Sequence, residues 1–330
     1  MLSIKDNFLE TLKRGGKPDR LVNMWEAVEL QPDVVMLYTL GGREKGKDSR
    51  DRFGTLITWP EGQISGMPHV TDDDKVIPDV TRWREYLTIP DLVAECSAGW
   101  EPFVEMKKAI NDKGLLSMSI AATGVFEQLH FLMGFEDMLM NFLLEPEAMH
   151  ELCDAIAEYR YTYFKLLIDN LKPDVILSHD DWGSKHSLFI SPETWREFIK
   201  PAYEKTYKMV HDAGVIIMHH SDSFCEPIIQ DMIDINIDIW QGALPENDIL
   251  KLQKIADGRI TMMGGCDMSK IDLPQSTEDM IRAETRRAID AYTPGGNFIV
   301  SATYGGPGDI IYPHVGSVMQ DEIEKFNAGN

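Results

Sequence analysis

From about residue 110 onward, short runs rich in Val and Ile alternate with longer segments of helical period, and this alternation constrains the fold more than any other feature of the chain. Strands that read as near-continuous apolar runs are buried on both faces. That is the pattern of parallel strands joined by helices. The runs predict strands at residues 21–24, 115–121, 175–178, 215–218, 237–240, 260–263 and 298–302. Ser191-Pro192-Glu193 and Ser276-Thr277-Glu278-Asp279 open helices with a side-chain cap. Turns such as Lys113-Gly114, Lys172-Pro173, Ala213-Gly214 and Asp257-Gly258 end helices and admit the next strand. The predicted fold is an α/β (β/α)8 TIM barrel, with seven strands visible and the eighth the hardest to locate.

Residues 41–93 break this rhythm, being rich in Gly, Asp, Arg and Trp. They read as a long excursion after the first strand, a lid or substrate-shaping hairpin, because long loops in compact domains usually carry function. Apart from it, residues 1–330 are expected to form a single domain, since barrels of this kind often exceed the usual domain size.

With 54 acidic against 32 basic residues the chain carries a net charge of −22. Such a charge repels nucleic-acid phosphates and anionic lipid, so nucleic acid is not an expected partner. The apolar runs are all shorter than the roughly 20 residues that cross a bilayer, and no membrane span is expected. Ser3-Ile4-Lys5-Asp6 opens an amphipathic helix through Phe8, Leu9 and Leu12 rather than a signal core, which points to a cytoplasmic protein. Cys96, Cys153, Cys225 and Cys266 are scattered and read as reduced thiols.

In a parallel barrel the segments after each strand gather at one face, so polar residues just past the apolar runs become neighbours in space. Those positions hold Trp25-Glu26, Thr123, His179-Asp180-Asp181, His219-His220-Ser221-Asp222, Gln241, Cys266-Asp267 and Thr303-Tyr304. Any one of them could be a loop cap. Together they aim several carboxylates at one mouth, where like charges raise each other's pKa unless a cation intervenes. Mixed His, carboxylate and thiolate donors suit zinc, and His220, Asp222 and Cys266 are the expected ligands. Cys266 also reads as a small buried hydrophobe. Gly305-Gly306-Pro307-Gly308 follows the last strand, but with Asp309 beside it and no Lys or Arg near, a conformational hinge is favoured over a phosphate site. No GxGxxG, phosphate-loop or GxSxG motif occurs.

The chain resembles the uroporphyrinogen decarboxylase superfamily, which holds the tetrapyrrole decarboxylase and a set of corrinoid-dependent methyltransferases. The resemblance rests on Asp51-Arg52-Phe53-Gly54, Ile89-Pro90-Asp91, the segment from Ser191-Pro192-Glu193 through Phe198 with Pro201, His220-Ser221-Asp222, and Phe298-Ile299-Val300-Ser301. The decarboxylase uses arginines after its first strand against a polyanionic substrate, whereas this chain has the acidic Trp25-Glu26-Ala27-Val28-Glu29. The methyltransferase branch is therefore the better match. Its thiol-methylating members hold zinc with a His-x-Cys pair and a later cysteine, where this chain reads His220-Ser221-Asp222 and Tyr304.

A harder donor set suits oxygen chemistry. The resemblance accordingly implies the first methyltransferase of an O-demethylase, passing methyl from an aromatic methyl ether to the cobalt(I) corrinoid of a partner protein. His179, Asp181 and Tyr304 are then the expected catalytic residues, with Trp25, Glu26, Phe126, Trp182 and Gln241 expected to line the substrate pocket. Three other readings remain open: a metal-free lyase of the decarboxylase kind, a methylcobamide:thiol methyltransferase, and a non-catalytic corrinoid or tetrapyrrole binder. A homodimer is among the assemblies that the sequence allows.

Overall fold

In the computed structural model, which describes residues 1–63, 65–306 and 308–329, seven parallel strands form one sheet. They are β1 (Val28–Leu30), β5 (Leu116–Ala121), β6 (Val175–His179), β7 (Ile216–His220), β8 (Ile239–Ala243), β9 (Thr261–Gly265) and β10 (Phe298–Ser301). Each pairs with the next in chain order, and helices cover the outside, giving an α/β barrel of the TIM type. Between β1 and β5 the chain inserts a small antiparallel sheet of β2 (Ser49–Arg50), β3 (Leu56–Thr58) and β4 (Met67–Pro68). The motif Asp51-Arg52-Phe53-Gly54 is the turn between β2 and β3: Asp51 Oδ1 accepts the Phe53 and Thr55 N–H groups, each at 2.9 Å.

Six of the predicted strands appear within three residues of their expected bounds, and the first does not. Residues 21–24 join no ladder, and no eighth strand joins the barrel sheet among the described residues. The backbone of residues 21–24 is met by side chains instead. Asn327 accepts from the Leu21 N–H at 2.9 Å and donates to its carbonyl at 3.0 Å, and Glu26 Oε1 accepts from the Asn23 N–H at 3.0 Å. Backbone groups satisfied in this way no longer need a strand partner.

The strands bury both faces by period-two alternation. Inward lie Leu116, Met118, Val175, Leu177, Met218, Ile239, Met263 and Ile299, closed from below by Phe8, Val22 and Ala27. Outward residues such as Ile176, Ile217, Trp240, Met262 and Val300 join the core beneath the helices. Among the described residues no helix is long and apolar enough to cross a membrane.

Phe8 is 2% exposed and plugs the barrel floor. Phe8→Ala should therefore lower unfolding stability by about 3–5 kcal/mol, read as a lower midpoint in urea with an unchanged slope.

Candidate active site

The same alternation that fills the interior with Leu177, Met218 and Ile239 places the residue two further along each strand on the inner face at the mouth. Those residues are His179, His220 and Gln241. Register sets them side by side, His179 opposite His220 and His220 opposite Gln241. The two imidazoles stack with ring centres 4.5 Å apart.

Each ring is fixed through its Nδ1. His179 Nδ1 lies 2.9 Å from Glu127 Oε2, and His220 Nδ1 meets Gln241 Oε1. The Gln241 amide is itself oriented, because its Nε2 donates to the Tyr304 carbonyl at 2.7 Å. An amide oxygen only accepts, so His220 carries its hydrogen on Nδ1 and leaves the Nε2 lone pair free. His220 Nε2 lies 3.7 Å from Asp181 Oδ1, and ligand atoms of His179, Asp181 and His220 all lie within 4.8 Å of one another. Two imidazoles with Nδ1 tied back and one carboxylate form a set that can hold a divalent metal ion. Gly305 closes against this set: a Cβ there would stand 3.3 Å from His179 Nε2, so a side chain would crowd the nitrogen that faces the metal position.

Asp180, pointing outward, clamps the neighbouring helix Val125–Met133 (β6 to helix). Its carboxylate accepts from Phe126 N–H (3.1 Å), Glu127 N–H (2.9 Å), Trp182 Nε1 (2.8 Å) and the Tyr203 hydroxyl (2.6 Å). The clamp sets Glu127 against His179.

The charges follow from this packing. Burial opposes a proton on His179, but Glu127, Asp181 and Asp180 outweigh it and raise its pKa to about 10. Burial, then the charge of His179, drives His220 down to about 3. Burial raises Asp181 well above the carboxylate range, and Asp222 to about 6. Carboxyl groups whose pKa is raised by burial and by neighbouring carboxylates around one small volume are what a bound cation relieves.

Several expected site residues lie elsewhere. Cys266 borders the same cavity as Asp222 and Tyr304 but is outside the metal group: its thiol is near Thr285, Glu284 and Arg287, and burial pushes it up. Asp222 is beside the group, its N–H donating to Asp181 at 3.1 Å, with its carboxyl on a cavity of about 270 Å3 that Tyr304 and Lys185 also border. The Tyr304 hydroxyl turns to Asp272. Trp25 and Glu26 sit in the turn entering β1, toward the floor, because the first strand starts later than expected. Phe126 and Trp182 are fully buried, Trp182 stacked on His219 at 4.0 Å, and serve as packing. Gln241, also buried, positions His220. Pro307 of the predicted hinge lies outside the described residues.

Sequence reasoning missed Glu127, although Gly124-x-x-Glu127 after β5 is a capping pattern that marks a helix start at the mouth.

These features define a TIM-type barrel protein with a polar, metal-competent pocket at the carboxyl ends of its strands. The chain belongs to the uroporphyrinogen decarboxylase (URO-D) family, whose model matches residues 74–320. A methylated-thiol–coenzyme M methyltransferase of Methanosarcina mazei is 24% identical over 284 residues, 83% of this chain and 70% of the relative. A solved methyltransferase structure from Methanosarcina mazei has the same fold, with a TM-score of 0.66 at 16% identity over 99% of each chain.

A Cβ on Gly124 would stand 2.0 Å from the Asp180 side chain. Gly124→Ala should break the clamp, cost about 1–3 kcal/mol, and loosen Glu127 from His179. The check is thermal denaturation together with the His179 ring proton shifts by NMR.

Proposed function

We propose that this chain is a zinc-dependent methyltransferase that moves a methyl group from a small methylated donor to the cobalt(I) corrinoid of a partner protein. The observation that carries the reading is the mouth cluster, two imidazoles with Nδ1 tied back and one carboxylate, in a chain similar to a known methyltransferase. Three protein ligands with an open position are the donor set of a catalytic rather than a structural zinc. His179, Asp181 and His220 would hold the ion; when bound, it supplies Lewis-acid polarisation of the donor atom that leaves.

The protein groups supply the rest. Glu127 and Gln241 tie back the two Nδ1 atoms, so that both Nε2 atoms would be free to hold the ion, and the apolar interior below excludes water. In the transfer, the bond from methyl carbon to oxygen breaks, a cobalt–carbon bond forms, and the departing oxygen needs a proton. Asp222 borders the cavity with its pKa raised to about 6, so it can hold and release that proton near neutrality. A nitrogen and oxygen donor set with no sulfur favours an oxygen leaving group, and an aromatic methyl ether is the proposed donor. Similarity to the methylated-thiol methyltransferase favours a second donor class, a methylated thiol.

Metal analysis of the purified chain should find one zinc. His179→Ala and His220→Ala should lose it, Gln241→Ala should weaken it about 10- to 100-fold, and Cys266→Ser should keep it. Activity that survives chelation and releases carbon dioxide would instead identify a lyase.

Mixing with free cob(I)alamin and a panel of methoxyarenes, methanol, methylamines and methylthiols should give the methylcobalt spectrum with methoxyarenes. Transfer from methylthiols alone would establish the second donor class, and transfer from none would reject the methyl-transfer reading.

A further inference from the structure

Asp272 is a carboxylate outside the metal group, 4% exposed, and no Lys or Arg pairs with it among the described residues. A carboxylate taken out of water without a counter-ion is costly unless donors satisfy its oxygens. Asp272 follows the short helix Met268–Ile271, and its own N–H donates to the Met268 carbonyl at 2.9 Å, which fixes it just beyond the end of β9. The donors that meet it come from the chain after β10. The Ile311 N–H donates to Oδ2 at 2.9 Å, the Tyr312 N–H donates to Oδ1 at 3.0 Å, and the Tyr304 hydroxyl turns to the same carboxylate.

One side chain thus holds Tyr304 on one side of Gly305 and Ile311 and Tyr312 on the other. Gly305 lies against the metal group, where a Cβ would stand 3.3 Å from His179 Nε2, so its placement sets the room beside that ring. Tyr304 also carries the carbonyl that receives Gln241 Nε2 at 2.7 Å, and the same amide offers its oxygen to His220 Nδ1. A primary amide turned half a rotation about its last bond would present N–H to the ring in place of oxygen, and His220 would have to change tautomer. The turn is blocked while the Tyr304 carbonyl stays in place to accept from Nε2. The Asp272 carboxylate holds the other end of that residue.

We propose that Asp272 is a positioning residue for the metal group, acting through Tyr304 and Gln241 to keep the His220 Nε2 lone pair available to the ion. The inference rests on the reading of His179, Asp181 and His220 as metal ligands. Asp272 is not among the groups that can hold the ion, so its effect reaches His220 only while Gln241 is present to pass it on. The position calls for a carboxylate rather than an amide. Two N–H groups and a hydroxyl are directed at it, and an Asn would accept with one atom and oppose a donor with the other.

Zinc affinity of the intact chain, measured by competition with a chelator, tests the relay. Asp272→Asn should weaken zinc about tenfold, the lower end of the range for groups that orient a ligand. Adding Asp272→Asn to Gln241→Ala should weaken it no further than Gln241→Ala alone, because the relay is already cut. Losses that add in the double variant, or zinc binding by Asp272→Asn equal to the parent's, overturn the proposal. The ring-nitrogen NMR shifts of His220 in the metal-free chain give a reading that needs no ion. The parent should hold one tautomer, with hydrogen on Nδ1, and Asp272→Asn should show exchange between two; an unchanged tautomer in the variant overturns the proposal. A parent that binds no zinc, yet loses its single tautomer on Asp272→Asn, would reject the metal reading and uphold the hold of Asp272 on His220. If Asp272→Asn folds poorly, Tyr304→Phe, which removes only the hydroxyl, should move both readings in the same direction.

Discussion

The site depends on parallel register at the ends of β6, β7 and β8. Because side chains alternate, the residue two beyond each apolar plug must face the same interior, and because the strands pair in step, those residues arrive level with one another. A one-residue slip in β7 would turn His220 outward and bring His219 in. His219 is instead committed to the outer layer, stacked on Trp182 and bonded to Tyr207 at 2.7 Å. Two adjacent histidines thus divide between packing and chemistry by the parity of the strand.

Around that register the protein builds rigidity from carboxylates that serve as acceptors. Asp180 gathers four donors and locks a helix start, Glu127 holds one ring, and Asp181 lies in the metal group. Gathering so much negative potential in a buried space is unfavourable without a counter-charge, and Glu127, Asp181 and Asp180 accordingly raise the pKa of the buried His179 imidazole to about 10.

Much of the barrel was legible because doubly buried strands leave uninterrupted Val and Ile runs, and the positions after them named His179, Asp181 and His220. The first strand was misplaced because Asn327 of the last helix satisfies the backbone of Leu21, a long-range exchange that carries no local pattern. That error carried Trp25 and Glu26 to the wrong end. Cys266 misled for another reason: Gly264 and Gly265 both adopt positive φ, so the chain leaves β9 with its alternation broken and the thiol turns to the helices.

The amino-acid order alone determined the alternating architecture, the acidic balance, and which strand ends would carry imidazoles and carboxylates, since burial and periodicity are local properties of the chain. Only the tertiary structure decided which of those groups meet and which ring nitrogen is left free. Such meetings are set by register, rotamer and hydrogen-bond partners drawn from distant segments, and no short stretch of sequence contains them.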